Sequence, residues 1–205
     1  MNARTRGAFI VFEGVDGSGK STQVARLVAR LEAGGLAVVV TREPHDCPAG
    51  RRIREMARSG EPVTAEQELA WFWEQRREHV RDVIAPALAA GRVVVCDRYY
   101  LSSVAYQGSR GLDPEKILRE SEAEFPRPDL VLWLDVDVGA GLSRTQARGD
   151  PAEPVFEDRS RLEAVADIYR SLSLGELVRI DAAGDEDEVA AAIGQCVSER
   201  LGLVV

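Results

Sequence analysis

The stretch Gly14-Val15-Asp16-Gly17-Ser18-Gly19-Lys20-Ser21-Thr22 has the residue types and spacing G-x-x-x-x-G-K-[ST], a pattern that can hold phosphate. Glycines let a backbone turn tightly and bring its N–H groups close to an oxyanion. Lys20 adds a compact ammonium on a flexible stem, the form of charge a point-like phosphate ligand requires. The rest of the chain avoids that side chain: of 26 basic residues, only Lys20 and Lys116 are lysine. An accidental glycine turn is the competing reading. The flanks argue against it, because an apolar run, Phe9–Phe12, precedes the glycines and a helically spaced stretch, Gln23–Leu31, follows them. Phosphates would then sit at the positive end of a helix.

Two further groups of residues could do chemistry. Asp97-Arg98 ends the apolar run Val93–Cys96. An acid so placed can direct a magnesium ion, and an adjacent arginine can fork onto a phosphate. A turn or helix-capping role for Asp97 is the alternative. Phe72 and Arg76 stand four apart in Ala70–His79, on one face of a predicted helix. An aromatic plane beside a guanidinium suits a planar heterocycle, although aromatics at helical spacing are more often core. His79 reads as structural.

These residues need elements to position them. Apolar runs at Phe9–Phe12, Ala37–Val40, Val93–Cys96, Leu130–Leu134 and Leu177–Ile180 read as strands. Helical patterns cover Ser21–Glu32, Ala65–Ala90, Val138–Arg148, Arg159–Ser171 and Glu186–Arg200. Near-continuous apolar strands between helices predict an α/β fold: three α/β/α layers around a five-stranded parallel sheet, the P-loop NTPase arrangement, as one domain over residues 1–205. Ligands of such sheets bind at the carboxyl ends of the strands, where Thr41-Arg42-Glu43-Pro44, Asp97-Arg98 and Asp135-Val136-Asp137 fall. Two stretches read as mobile. One is about 144–158, with Gly149, Pro151 and Pro154 among charges, which predicts a closing flap or an ordinary surface loop. The other is Cys47–Gly60, where Arg51, Arg52, Arg54 and Arg58 read as partly solvated.

Bulk properties exclude several classes. A net charge of -8 argues against a nucleic-acid surface while allowing a small basic pocket for an anionic metabolite. No apolar run approaches the roughly 20 residues of a membrane span. Cys47, Cys96 and Cys196 lack C-x-x-C spacing, which predicts reduced thiols in a cytoplasm, not a disulfide frame or zinc site.

The chain resembles the thymidylate kinases. The resemblance rests on Phe12-Glu13-Gly14 leading into the phosphate loop, Thr41-Arg42-Glu43-Pro44, Ile53-Arg54, Phe72 with Arg76 and His79, Asp97-Arg98-Tyr99, and Ser103-Val104-Ala105-Tyr106-Gln107-Gly108. The phosphate loop alone names only a superfamily; the other segments are far more specific. The resemblance implies transfer of the γ-phosphoryl group of ATP to dTMP, a Mg²⁺ ion and a homodimer. It implies that the loop residues Gly14 to Thr22, Val15 and Ser18 included, hold the donor. Phe72 would stack on thymine, overturning the core reading, and Arg76 and Ser103 would meet the base edge with Gln107 close by. Tyr106 would favour deoxyribose, Asp16 would face the sugar 3′-hydroxyl, and Glu43 would approach the acceptor. Arg54 and Arg98 would hold the acceptor phosphate, Ser21 would bind Mg²⁺, and Asp97 would hold the metal or its water. The acceptor phosphate has a second pKa near 6 and is largely dianionic at pH 7, so no strong general base is needed.

Two departures from the family pattern stand out. His45-Asp46 follows Pro44 where the family has Gly-Gly. The transition-state arginine is absent from both of the family's usual slots: Gly17 occupies one, and Pro154 or Val155 the other. Arg148 and Arg144 are the substitutes, with Arg159 behind them. Such an arginine is worth on the order of 10³ or more in rate. The alternatives are a P-loop kinase of another nucleotide or deoxynucleoside, and a nucleotide-switch binding protein.

Overall fold

The computed structural model describes residues 7–148 and 158–204, with only the backbone of Arg148. Five parallel strands form one sheet: β1 (Phe9–Glu13), β2 (Val38–Arg42), β3 (Val93–Asp97), β4 (Leu130–Asp135) and β5 (Leu177–Asp181), in the order β2-β3-β1-β4-β5. The expected α/β/α arrangement with a five-stranded parallel sheet is what the chain adopts. β1, the most central strand, is buried at every position, which is why its sequence is apolar without alternation. It pairs with β3 through Phe12↔Asp97 and with β4 through Glu13↔Trp133, so the phosphate loop and Asp97 leave the sheet side by side.

Helix α1 (Lys20–Ala33) begins on the lysine of the loop, and α9 (Glu186–Leu201) packs beside it against the sheet. The long helical pattern after residue 65 splits into α3 (Ala65–His79), a π-helical turn (Val80–Ile84) and α4 (Ala85–Ala89). The remaining helices are α5 (Tyr100–Gly108), α6 (Pro114–Glu124), α7 (Val138–Arg148) and α8 (Arg159–Ser171).

The reading of Cys47–Gly60 as mobile is corrected: Pro48–Ser59 is a helix, α2. Cys47 caps it, its Sγ accepting from Gly50 N at 3.4 Å, and Pro48 stands in its first turn. Ala49, Ile53, Met56 and Ala57 are buried, a helical spacing hidden among arginines. Residues 149–157, most of the expected flap, lie outside the described residues.

Candidate active site

The loop between β1 and α1 is shaped by glycine where the space demands it. A Cβ on Gly14 (φ 140°) would lie 2.6 Å from Leu134 O, and one on Gly17 (φ 77°) would lie 2.0 Å from Gly141 O in α7. The arginine that one branch of the family carries at position 17 is therefore excluded here unless α7 moves. Lys20 Nζ donates to Gly14 O and Val15 O, each at 2.9 Å, and lies 3.8 Å from Asp16. Burial first, and Arg98 second, lower its pKa to about 8.

Asp97 ends β3 beside this loop. Its Oδ2 accepts from Ser21 Oγ at 3.2 Å; its Oδ1 is buried without a hydrogen-bond partner among the described residues. A carboxylate with an unused buried oxygen next to a hydroxyl suits a hard cation. No group of three or more His, Cys, Asp or Glu side chains among the described residues could hold a metal. Mg²⁺ is commonly held by one or two carboxylates together with substrate phosphates.

Arg98 follows with a left-handed backbone (φ 68°), unusual for a residue with a side chain, and its N–H is tied to Phe12 O at 2.8 Å. The turn aims the guanidinium back across the loop. Nη2 donates to Asp16 Oδ1 at 2.7 Å, Nη1 to Ser102 Oγ at 3.2 Å, and the group lies 5.2 Å from the centroid of the Tyr106 ring.

Two adjoining cavities meet here. One is lined by Gly17, Gly19, Lys20, Ser21, Thr22, Arg42 and Asp97. The other is lined by Ile53, Ala57, Phe72, Tyr99, Ser102, Tyr106 and Gln107. Asp16, Glu43, Pro44, Arg54 and Arg98 line both. Phe72 is half-buried and faces a cavity instead of the core. Arg54 is held in place by Pro44 O at 2.9 Å and Asp46 Oδ1 at 2.8 Å.

Arg76 and Ser103 stand behind that lining. Arg76 is fully buried and forks onto Glu43, with Nη2 to Oε2 at 2.7 Å and Nε to Oε2 at 2.9 Å, while Nη2 also donates to Ser103 Oγ at 3.0 Å. Its Nη1 is buried with no hydrogen-bond partner among the described residues. Glu43 also contacts His79 Nδ1 at 3.1 Å, and His79 Nε2 lies 2.6 Å from Thr41 Oγ1. Burial pushes the Glu43 carboxyl up, but Arg76 and His79 outweigh it and hold its pKa below the ordinary value. The structural reading of His79 fits this place. His45 stacks on it, ring centroids 4.7 Å apart, and Asp46 also reaches Arg51, so the departure from Gly-Gly gives a pinned turn.

Glu13, which precedes the phosphate loop, is a functional residue that sequence reasoning does not single out. It is fully buried at the end of β1, and Oε1 accepts from Tyr99 N at 3.0 Å and Ser102 N at 3.1 Å. Oε2 accepts from Ser102 Oγ at 2.6 Å and Tyr169 OH at 2.8 Å. It caps α5 from another element and fixes the turn that carries Arg98. A charge ending an otherwise apolar central strand was the available signal. Of the substitute arginines, Arg144 Nη1 donates to Ala182 O at 3.3 Å and Arg159 Nε to Glu163 Oε1 at 3.0 Å; the Arg148 side chain lies outside the described residues.

A phosphate loop on the central strand, beside an arginine-lined cavity with an aromatic wall, defines a P-loop phosphotransferase of the nucleoside monophosphate kinase class. A family model described as thymidylate kinase matches residues 12–193, and the chain belongs to that family. It is 44% identical over 200 residues to a thymidylate kinase of Akkermansia muciniphila, covering 98% of this chain and 96% of that protein. It is 42% identical over 196 residues to one of Desulfotalea psychrophila (95% and 96%). It is 43% identical over 199 residues to one of Xanthomonas euvesicatoria pv. vesicatoria (95% and 87%).

Proposed function

We propose that this chain transfers the γ-phosphoryl group of ATP to dTMP, giving dTDP and ADP. The observation that carries the reading is the pair of cavities sharing Arg54 and Arg98. Two guanidiniums at the boundary suit an acceptor that brings its own phosphate. A nucleotide switch, which has no second substrate, has no use for a second cavity walled by Phe72 beside them.

In this reading the loop N–H groups and Lys20 hold the β- and γ-phosphates, and Lys20 exchanges its contacts with Gly14 O and Val15 O for phosphate oxygens. Arg54 and Arg98 hold the acceptor phosphate in line with the γ-phosphorus. An acceptor oxygen forms the new P–O bond, the bond from the γ-phosphorus to the β,γ-bridging oxygen breaks, and ADP leaves with that electron pair. The acceptor dianion supplies the nucleophile, so the residues mainly align groups and spread charge. Ser21 and Asp97 would hold Mg²⁺, which when bound neutralises charge on the β- and γ-oxygens. Phe72 stacks on the base, Tyr106 crowds the 2′ position of the sugar, and Asp16 faces its 3′-hydroxyl. The unused Arg76 Nη1 suits thymine O4. Glu43 acts at this site by holding Arg76. Arg148 or Arg144 supplies the transition-state cation.

The same proposal includes one domain with a flap near 144–158, a homodimer and a cytoplasmic place of action. No helix among the described residues is long and apolar enough to cross a membrane.

The test is an ADP-release assay with dTMP, dUMP, dCMP, AMP and thymidine as acceptors. dTMP is expected to be preferred and thymidine to be inert, because it has no phosphate for the two arginines. No preference for dTMP would overturn the reading.

A further inference from the structure

Glu68 touches neither substrate in the proposed reaction, yet it is fully buried in the first turn of α3. Its Oε1 accepts from Gln107 Nε2 at 3.0 Å, and its Oε2 is paired with Arg110 Nη1. Arg110 is itself anchored by Nη2 on Val63 O. As the anion of that pair, Glu68 can only accept hydrogen bonds. An amide has two ends of nearly equal size and opposite character, and this neighbour decides which way round it lies. The –NH₂ of Gln107 must face Glu68, which leaves its carbonyl Oε1 as the other end. Gln107 lines the cavity that Phe72 lines, and Oε1 is buried with no hydrogen-bond partner among the described residues.

We propose that Glu68 is a positioning residue for base selection. By locking the Gln107 amide, it obliges the base to offer a ring N–H and rejects a base whose ring nitrogen carries a lone pair there. The inference rests on the function proposed above, in that the acceptor's base occupies the Phe72 cavity. Thymine presents the N3–H that Oε1 lacks. Cytosine would set its N3 lone pair against that oxygen, and its amino group against Arg76 Nη1, so both contacts are repelled. A site built on fixed hydrogen bonds can discriminate by about 10⁴ or more, whereas a shape-only pocket cannot. The ion pair with Arg110 holds the Glu68 carboxylate in place independently of the base.

The test is Glu68→Gln, which replaces an obligate acceptor with a group that can donate or accept and so frees the Gln107 amide to turn over. The readout is the ratio of dTMP to dCMP affinity, measured by calorimetry, beside kcat/KM for each. The ratio is expected to fall by at least about tenfold, with the affinity for ATP unchanged. An unchanged ratio, or equal proportional losses for dTMP and dCMP, overturns the assignment. If the variant does not fold, nuclear magnetic resonance of the parent decides. The Gln107 side-chain amide protons are expected to be protected from exchange and unmoved when dTMP is added; free exchange, or reorientation on binding, overturns it. A parent protein that does not prefer dTMP sinks the functional reading and this inference together. A selective parent with an unmoved Glu68→Gln ratio sinks this inference alone.

Discussion

The two ends of the site are built from different materials. At the proposed phosphate end, the cradle itself is local: nine consecutive residues supply the turn and the ammonium, Lys20 rests on carbonyls five and six residues away, and Asp97 and Arg98 reach Ser21 and Asp16 from the end of β3. At the base end almost nothing is local. Glu43 meets Arg76 across 33 residues, Arg76 meets Ser103 across 27, and Gln107 meets Glu68 across 39. Phosphates present similar oxygens in every nucleotide, so a backbone cradle suffices. Bases differ in their order of donors and acceptors, so reading them needs side chains held in one orientation. That orientation is fixed here by buried carboxylates that themselves require partners. Damage at the phosphate end should therefore cut turnover of every acceptor. Damage at the base end should appear in selectivity and stability.

Several substitutions would sharpen or break that contrast, in descending order of expected effect. Arg98→Ala should lower kcat with dTMP by about 10³ or more, while ATP affinity by calorimetry stays within about threefold of the parent. Near-parent turnover would remove Arg98 from the phosphate end. Arg148→Ala should slow turnover more than it weakens binding of either substrate, and parent-like kinetics would clear Arg148 of the charge role. Glu43→Gln strands the buried Arg76 cation and should cost about 3–5 kcal/mol of stability in denaturant unfolding. A loss of ATP affinity without a loss of stability would refute the division between the ends.

Lys20 gives a pH test with two signs. Its pKa is lowered to about 8 from 10.5, so the free protein loses the ammonium above that pH. ATP affinity should fall from pH 7 to pH 9. Between about 8 and 10.5 the unfolded chain binds the proton and the folded one does not, so this group's contribution to stability rises with pH. Lys20→Met should lack both trends, and a parent whose pH profile matches the variant's would contradict the assignment. The smallest effect belongs to Asp46→Asn. Its ion pair with Arg54 is mostly exposed, so the KM for dTMP should shift by less than about fivefold, with the KM for ATP unmoved. An equal shift in both would place Asp46 outside the acceptor end.

The legible parts of the molecule were those whose signal is contiguous. The five strands read as apolar runs because a parallel sheet covered on both faces needs them so. The phosphate loop read as a motif because its geometry is set by residues adjacent in sequence. Other elements hid for physical reasons. In α5, Tyr100 to Gln107 are all buried, and a helix wrapped on every side shows no apolar stripe. α2 is capped by a cysteine, a weak acceptor outside the usual capping set. α6 carries its signal only at its start, Asp113 accepting from Glu115 N and Lys116 N with Pro114 in the first turn.

By itself the sequence determined the parallel α/β architecture, the phosphate loop and the presence of an acid and an arginine at the end of β3, because each depends on neighbours along the chain. Only the tertiary structure decided that Phe72 lines a cavity, that α7 closes position 17 to a side chain, and that Arg76, Gln107 and Glu13 are held by partners from other elements. A buried hydrogen bond is specified by where two elements cross. Residue types fix which groups need a partner, and packing in three dimensions fixes which partner each one finds.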